Sequence, residues 1–247
     1  MADTYNTFKR FCDACRDGDM NTAQQLLGSI DAINERSTGG TPLTLAAKSR
    51  NVELVRLLLD NGADVARRNN NMSSVLHEAA FVENNVDVLC LLIERGADVN
   101  AKAFLFGQPI DWTTGVANFR CLLDAGVDPE SAIVAATLKQ HVDIIDELVG
   151  RGVDIDVCDG RSNRTVLMRA SNDRLPASFL PLLVYGADAN AYTNDYQRTA
   201  LSFAIDDGND WSCTQLLAAG ADVNAACWEG AAPLHVALHQ EKYKCAS

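Results

Sequence analysis

A chain of 247 residues, 47% hydrophobic and 22% charged, can bury a sizeable core and does not have the composition of a disordered protein. Acidic residues outnumber basic ones 33 to 21, a formal charge of -12 that repels phosphate backbones and argues against nucleic-acid binding. The best basic pairs, Arg67–Arg68 and the looser Arg161/Arg164, form no compensating patch, so the balance favours a basic protein partner.

The N-terminal segment MADTYNTFKRFCDACRDGDM is polar and charged, without the apolar stretch of a secretory signal. No run of 18 apolar residues occurs, so no membrane association is expected. The eight cysteines then read as reduced thiols of a cytoplasmic protein, although delivery into a host cell by a signal-less route fits the same sequence.

In chain order, residues 5–36 read as a capping helix pair with the rhythm FCDACRDGDMNTAQQLL. Six units follow, at about 37–70, 71–102, 103–128, 129–156, 157–190 and 191–224, with a partial last one at 225–247; the whole of 1–247 reads as a single domain. Each unit opens on one phrase: TPLTLAA (41–47), SVLHEAA (74–80), QPIDWTT (108–114), the shortened SAIVAA (131–136), TVLMRAS (165–171), TALSFAI (199–205) and APLHVAL (232–238). A second phrase closes the units, as in LLLDNGADV (57–65), LLIERGADVN (91–100) and QLLAAGADVN (215–224). Its glycines, Gly62, Gly96, Gly126, Gly152, Gly186 and Gly220, are spaced 34, 30, 26, 34 and 34 residues apart.

Thr or Ser before a helical pattern is an N-cap signal, and Pro at the next position suits a first turn. Apolar residues seven, four and three positions before each glycine, such as Val55/Leu58/Leu59 and Cys213/Leu216/Leu217, share one face of a second helix. Glycine then ends that helix in the left-handed region. Each unit is therefore two antiparallel helices and a loop, and such units must stack to bury their apolar faces. The 30- and 26-residue spacings compress units three and four, and Asp128-Pro129-Glu130 replaces the projecting loop of unit four. Pro181 is expected to kink its helix or to push the start later.

TPLxxAA followed by LLxxGADVN at this period resembles the ankyrin repeat family over nearly the whole chain. The resemblance implies an all-α solenoid of stacked helix-turn-helix units with short hairpin loops. It also implies non-catalytic protein binding through the concave face and hairpin tips, by a dedicated binder or inhibitor of the immunity or host-defence-blocking type, or else by an adaptor linking two proteins.

Cys12-xx-Cys15 has no second pair to make a zinc site and falls at core positions of the first helix. Cys121 and Cys213 also occupy core positions, whereas Cys90 is more exposed. His77 and His235 stand at the fourth place of the opening phrase, where the family's histidine bonds backbone between loops. His141 reads as a solvated turn residue. There is no GxSxG, Walker loop or GxGxxG, so no catalytic, cofactor or metal residue is assigned. The partner-binding candidates are apolar residues where the repeat leaves a side chain exposed: Phe104, Leu105, Tyr196 and Trp228 at tips, Phe106 and Tyr192 in the same loops, and Phe81 and Val82 after the Ala-Ala pair. The alternative is that they pack on adjacent loops. Trp112 and Phe203 are expected in the core.

Overall fold

The computed structural model describes residues 2–30, 32–103, 107–159, 163–194 and 197–225. Phe104, Leu105, Phe106, Tyr196 and Trp228 lie outside these residues, as do His235 and Cys245. The described chain is all-α, built of stacked helix-turn-helix units. It forms two compact units, residues 1–128 and 129–247. Their boundary falls where the sequence drops the projecting loop.

The first unit contains α1 (Ala2–Asp17), α2 (Met20–Leu27), α3 (Pro42–Ala46), α4 (Val52–Asp60), α5 (Val75–Ala80), α6 (Val86–Glu94), a single 3-10 turn (Pro109–Trp112) and α7 (Val116–Asp124). In the second are α8 (Pro129–Leu138), α9 (Val142–Gly150), α10 (Val166–Asn172), α11 (Pro176–Val184), α12 (Ala200–Asp206) and α13 (Asp210–Ala218).

The capping chemistry is as the sequence predicts. Thr41, Thr165 and Thr199 accept the backbone N–H three residues on, at 3.2, 3.3 and 3.4 Å. All six closing glycines have φ between 83° and 89°, where any other residue is strained. A second left-handed position recurs between the two helices of a pair, and here the sequence conceals it: Arg50, Asn84, Gln140 and Arg174 occupy it beside Gly18 and Gly208.

Polar side chains bind repeat to repeat. Asn34 Nδ2 donates to the Gly62 carbonyl at 3.0 Å, and its Oδ1 accepts the Asp64 N–H at 2.7 Å. Asn100 does the same to Gly126 and Asp128, and Asn190 to Gly220 and Asp222. The GAD aspartates fold their own loops, Asp64, Asp98, Asp188 and Asp222 each accepting the N–H two residues on. Deeper in the first unit, buried Asn85 donates to the Ala47 and Ala79 carbonyls. Fully buried Asn118 donates to the Ala80 and Val82 carbonyls and accepts the Asn85 N–H.

Five expectations need correction. Trp112 is half-buried rather than core, because one 3-10 turn replaces the first helix of its unit. Cys121 is half-buried, beside Cys90. His141 is not a solvated residue: it is half-buried, and burial lowers its pKa. Leu217, assigned to the apolar face, is exposed. Pro181 neither delays nor ends α11, which starts at Pro176 and runs through it.

Candidate protein-binding surface

Phe81 follows the last turn of α5, and its side chain is 59% exposed. Its backbone is held rigidly by the next repeat. Thr114 Oγ1 donates to the Phe81 carbonyl at 3.2 Å, and Asn118 Nδ2 donates to the Val82 carbonyl at 2.7 Å. The Phe81 ring meets Trp112 edge-on, with centroids 6.3 Å apart, and Trp112 in turn meets His77 at 5.3 Å. His77 is itself locked. Its Nδ1 accepts the Ser74 N–H at 3.2 Å and its Nε2 faces the Gly107 carbonyl at 3.1 Å, which fixes the proton on Nε2. Burial is the main reason its pKa is depressed.

Phe81 thus packs on one edge and offers the rest of its ring to a partner. Val82 beside it is half-buried. Nearby, the buried Glu78 carboxylate pairs with Lys48 and accepts from Asn69 Nδ2. Arg68 is likewise engaged, donating to the Met72 and Lys102 carbonyls at 2.8 and 2.7 Å and clamping neighbouring loops.

In the second unit, Tyr192 is 62% exposed at a hairpin stem that pairs with Thr199. Phe203 is buried, as expected, with the guanidinium groups of Arg164 and Arg198 at 4.2 and 3.9 Å from its ring centroid. Arg198 is also ion-paired to Asp206. Only Phe81, Val82 and Tyr192 of the sequence candidates can be placed. Phe81 and Val82 are neighbours on one unit, and Tyr192 belongs to the other.

A second apolar surface escaped the sequence reading. On α11, Leu180 and Val184 are exposed, Val184 by 81%; Trp211 on α13 is also exposed and meets the buried Phe179, with ring centroids 5.3 Å apart. The positions six and two before each glycine hold Arg56/Asp60, Cys90/Glu94 and Arg120/Asp124 in the first unit, but Leu180/Val184 here. The signal was available, since PASFLPLLV has no charged residue. Among the described residues, no group of three or more His, Cys, Asp or Glu could hold a metal ion, and no helix is long and apolar enough to cross a membrane.

Paired helices with glycine-closed loops define a repeat protein of the binding-module class. Residues 11–103 match the family model for ankyrin repeats, in three copies. That segment carries ankyrin repeats, which form protein–protein interaction modules and are generally non-catalytic. Over 113 residues, 45% of this chain, it is 34% identical to an ankyrin repeat protein of Fowlpox virus (strain NVSL). Over 160 residues, 59% of this chain, it is 28% identical to the E3 ubiquitin-protein ligase XBAT33 of Arabidopsis thaliana. These alignments cover 33% and 31% of the two relatives, so the chain matches about a third of the length of each.

Proposed function

We propose that this chain is a dedicated, non-catalytic binder of one protein, acting as an inhibitor by covering a surface of its partner. The observation that carries the reading is the mounting of Phe81: an aromatic ring left mostly in water on a backbone pinned by Thr114 and Asn118. Ordering such a ring on binding costs little entropy, which is the property of an interface anchor. Phe104, Leu105, Phe106, Tyr192, Tyr196 and Trp228 are proposed as further contacts, through the concave face and hairpin tips that the repeat pattern implies. The net charge of -12 fits a basic partner, and the reduced thiols fit the cytoplasm.

The test is recovery of the partner by pull-down with the full chain, followed by titration of the purified pair. Phe81→Ala is expected to weaken binding about thirtyfold, equivalent to about 2 kcal/mol, with the melting temperature nearly unchanged. Unchanged affinity with a normal fold overturns the assignment of Phe81.

One observation favours a second reading, an adaptor. Leu180 and Val184 are exposed apolar residues on the other compact unit from Phe81, and a second partner would use them. Leu180→Ser with Val184→Ser would then abolish capture of one partner and spare the one that depends on Phe81. A single partner insensitive to these changes favours the inhibitor.

A further inference from the structure

Cys90 on α6 and Cys121 on α7 face each other across two successive repeats, with sulfurs 3.4 Å apart. Cys90 is exposed and Cys121 half-buried. Cys90 does not serve the core. It takes the outward position six before the glycine that Arg56, Arg120, Asp146 and Thr214 take elsewhere. Cys12, Cys15 and Cys213, by contrast, are buried.

The geometry points to Cys90 and Cys121 as a redox modification site that reacts with a low-molecular-weight disulfide and closes into a disulfide joining the two repeats. The sulfurs are already in van der Waals contact, so modest side-chain rotation brings them to bonding distance. The order of events follows from access. Cys90 gives its proton to water, and its thiolate attacks one sulfur of the small disulfide RS–SR. That S–S bond breaks, one RS⁻ leaves, and Cys90 carries a mixed disulfide. Cys121 then loses its proton to water and attacks the Cys90 sulfur, expelling the second RS⁻. The two RS⁻ take up the two protons. Two electrons pass from the protein dithiol to the small disulfide, which leaves as two thiols.

Burial, the Cys90 thiol and Asp124 push the Cys121 thiol up to about 12. Cys121 is therefore a slow attacker and a poor leaving group, so the closed bond forms slowly and resists exchange at that sulfur. Asp124 and the acidic chain favour a cationic disulfide over an anionic one. The bond would tie α7, which carries Asn118, to α6, and so fix the spacing of the two repeats that mount Phe81.

The test uses the full chain with Cys158, Cys227 and Cys245 replaced by serine, treated with cystamine. The expected product has lost two hydrogens and carries no adduct. Non-reducing tryptic digestion should then yield peptide 69–95 joined to peptide 121–139. Its melting temperature should rise by several degrees, because the cross-link restricts the unfolded chain. Cys121→Ser should stop at a stable cysteamine adduct on Cys90, and Cys90→Ser should leave Cys121 largely unmodified. A persistent adduct on Cys90 while Cys121 is intact, a cross-link elsewhere, or no reaction would each overturn the proposal.

Discussion

The two compact units use the same helix pairs but different polar links. In the first, buried amides span the repeats: Asn85 and Asn118 each satisfy two backbone carbonyls of earlier turns. In the second, the corresponding links are a hydroxyl, Ser178 Oγ to the Thr137 carbonyl at 2.8 Å, the Ala177 N–H to Gln140 Oε1 at 3.2 Å, Arg174 to the Asp207 carboxylate and carbonyl, and a 3.5 Å contact from Asn209 to Ser171. The loops differ too. Asp156 stands where Asn34, Asn100 and Asn190 stand elsewhere; it accepts the Asp188 N–H at 2.9 Å but as a carboxylate has no proton to donate to the next glycine carbonyl. Apolar packing sets the helix pairs in both units, and the buried amides of the first are expected to hold one repeat to the next more firmly.

The largest expected effect tests that contrast directly. Asn118→Ala leaves two carbonyls and one N–H buried without their partner, and should cost about 2–4 kcal/mol. Ser178→Ala in the second unit should cost about 1 kcal/mol. Urea unfolding of the two variants decides; equal losses would break the comparison.

Acidity should act on the first unit through His77. Its pKa is depressed in the folded state, so the unfolded chain binds more protons as pH falls below about 6.5. The stability contributed by neutral His77 is present above that pH and is lost as pH falls toward the folded value. Protonating Nδ1 would remove the acceptor of the Ser74 N–H. Melting temperatures between pH 7.5 and 5.5 should therefore decline, and His77→Gln should flatten the decline. His141, also depressed by burial, should contribute in the same direction.

Asp156→Asn should stabilise the second unit by about 1 kcal/mol by restoring the second bond of the loop bridge. Burial and the nearby Asp188 and Asp154 raise the pKa of Asp156, while the Asp188 N–H bond lowers it. Denaturant midpoints near neutral pH should show the gain, and a loss would mean that the carboxylate has a better partner than its amide would find. The smallest effect is Arg174→Gly. It removes an exposed ion pair with Asp207 but relieves a left-handed residue at φ 52°. These terms oppose, and the change should stay within about 0.5 kcal/mol of neutral in the same assay.

The repeat, its caps and its loop glycines were legible in the sequence because each depends on local chemistry at a fixed period. The left-handed turn between paired helices was hidden because Arg50, Asn84, Gln140 and Arg174 fill it where glycine would have announced it. Trp112 was misplaced because a helix phrase was read where compression leaves a single 3-10 turn. Of the candidate surface, Phe81 was legible as an apolar residue at an exposed register. Its edge contact with Trp112 was not, since that depends on how two repeats meet. The Leu180/Val184 face is not marked by the core positions seven, four and three before glycine, which α11 shares with the other helices; it is the outward positions that distinguish it.

The asparagine bridges have a consequence for how such a chain can change over generations. The side chains of Asn34, Asn100 and Asn190 hydrogen-bond to main-chain atoms of the following repeat, a glycine carbonyl and an aspartate N–H. The joint therefore places no demand on the neighbour's side chains beyond the loop that presents those atoms. Whole repeats can be duplicated, deleted or exchanged by recombination and still find their hydrogen bonds. The outward side chains are then left to diverge, and with them the choice of partner.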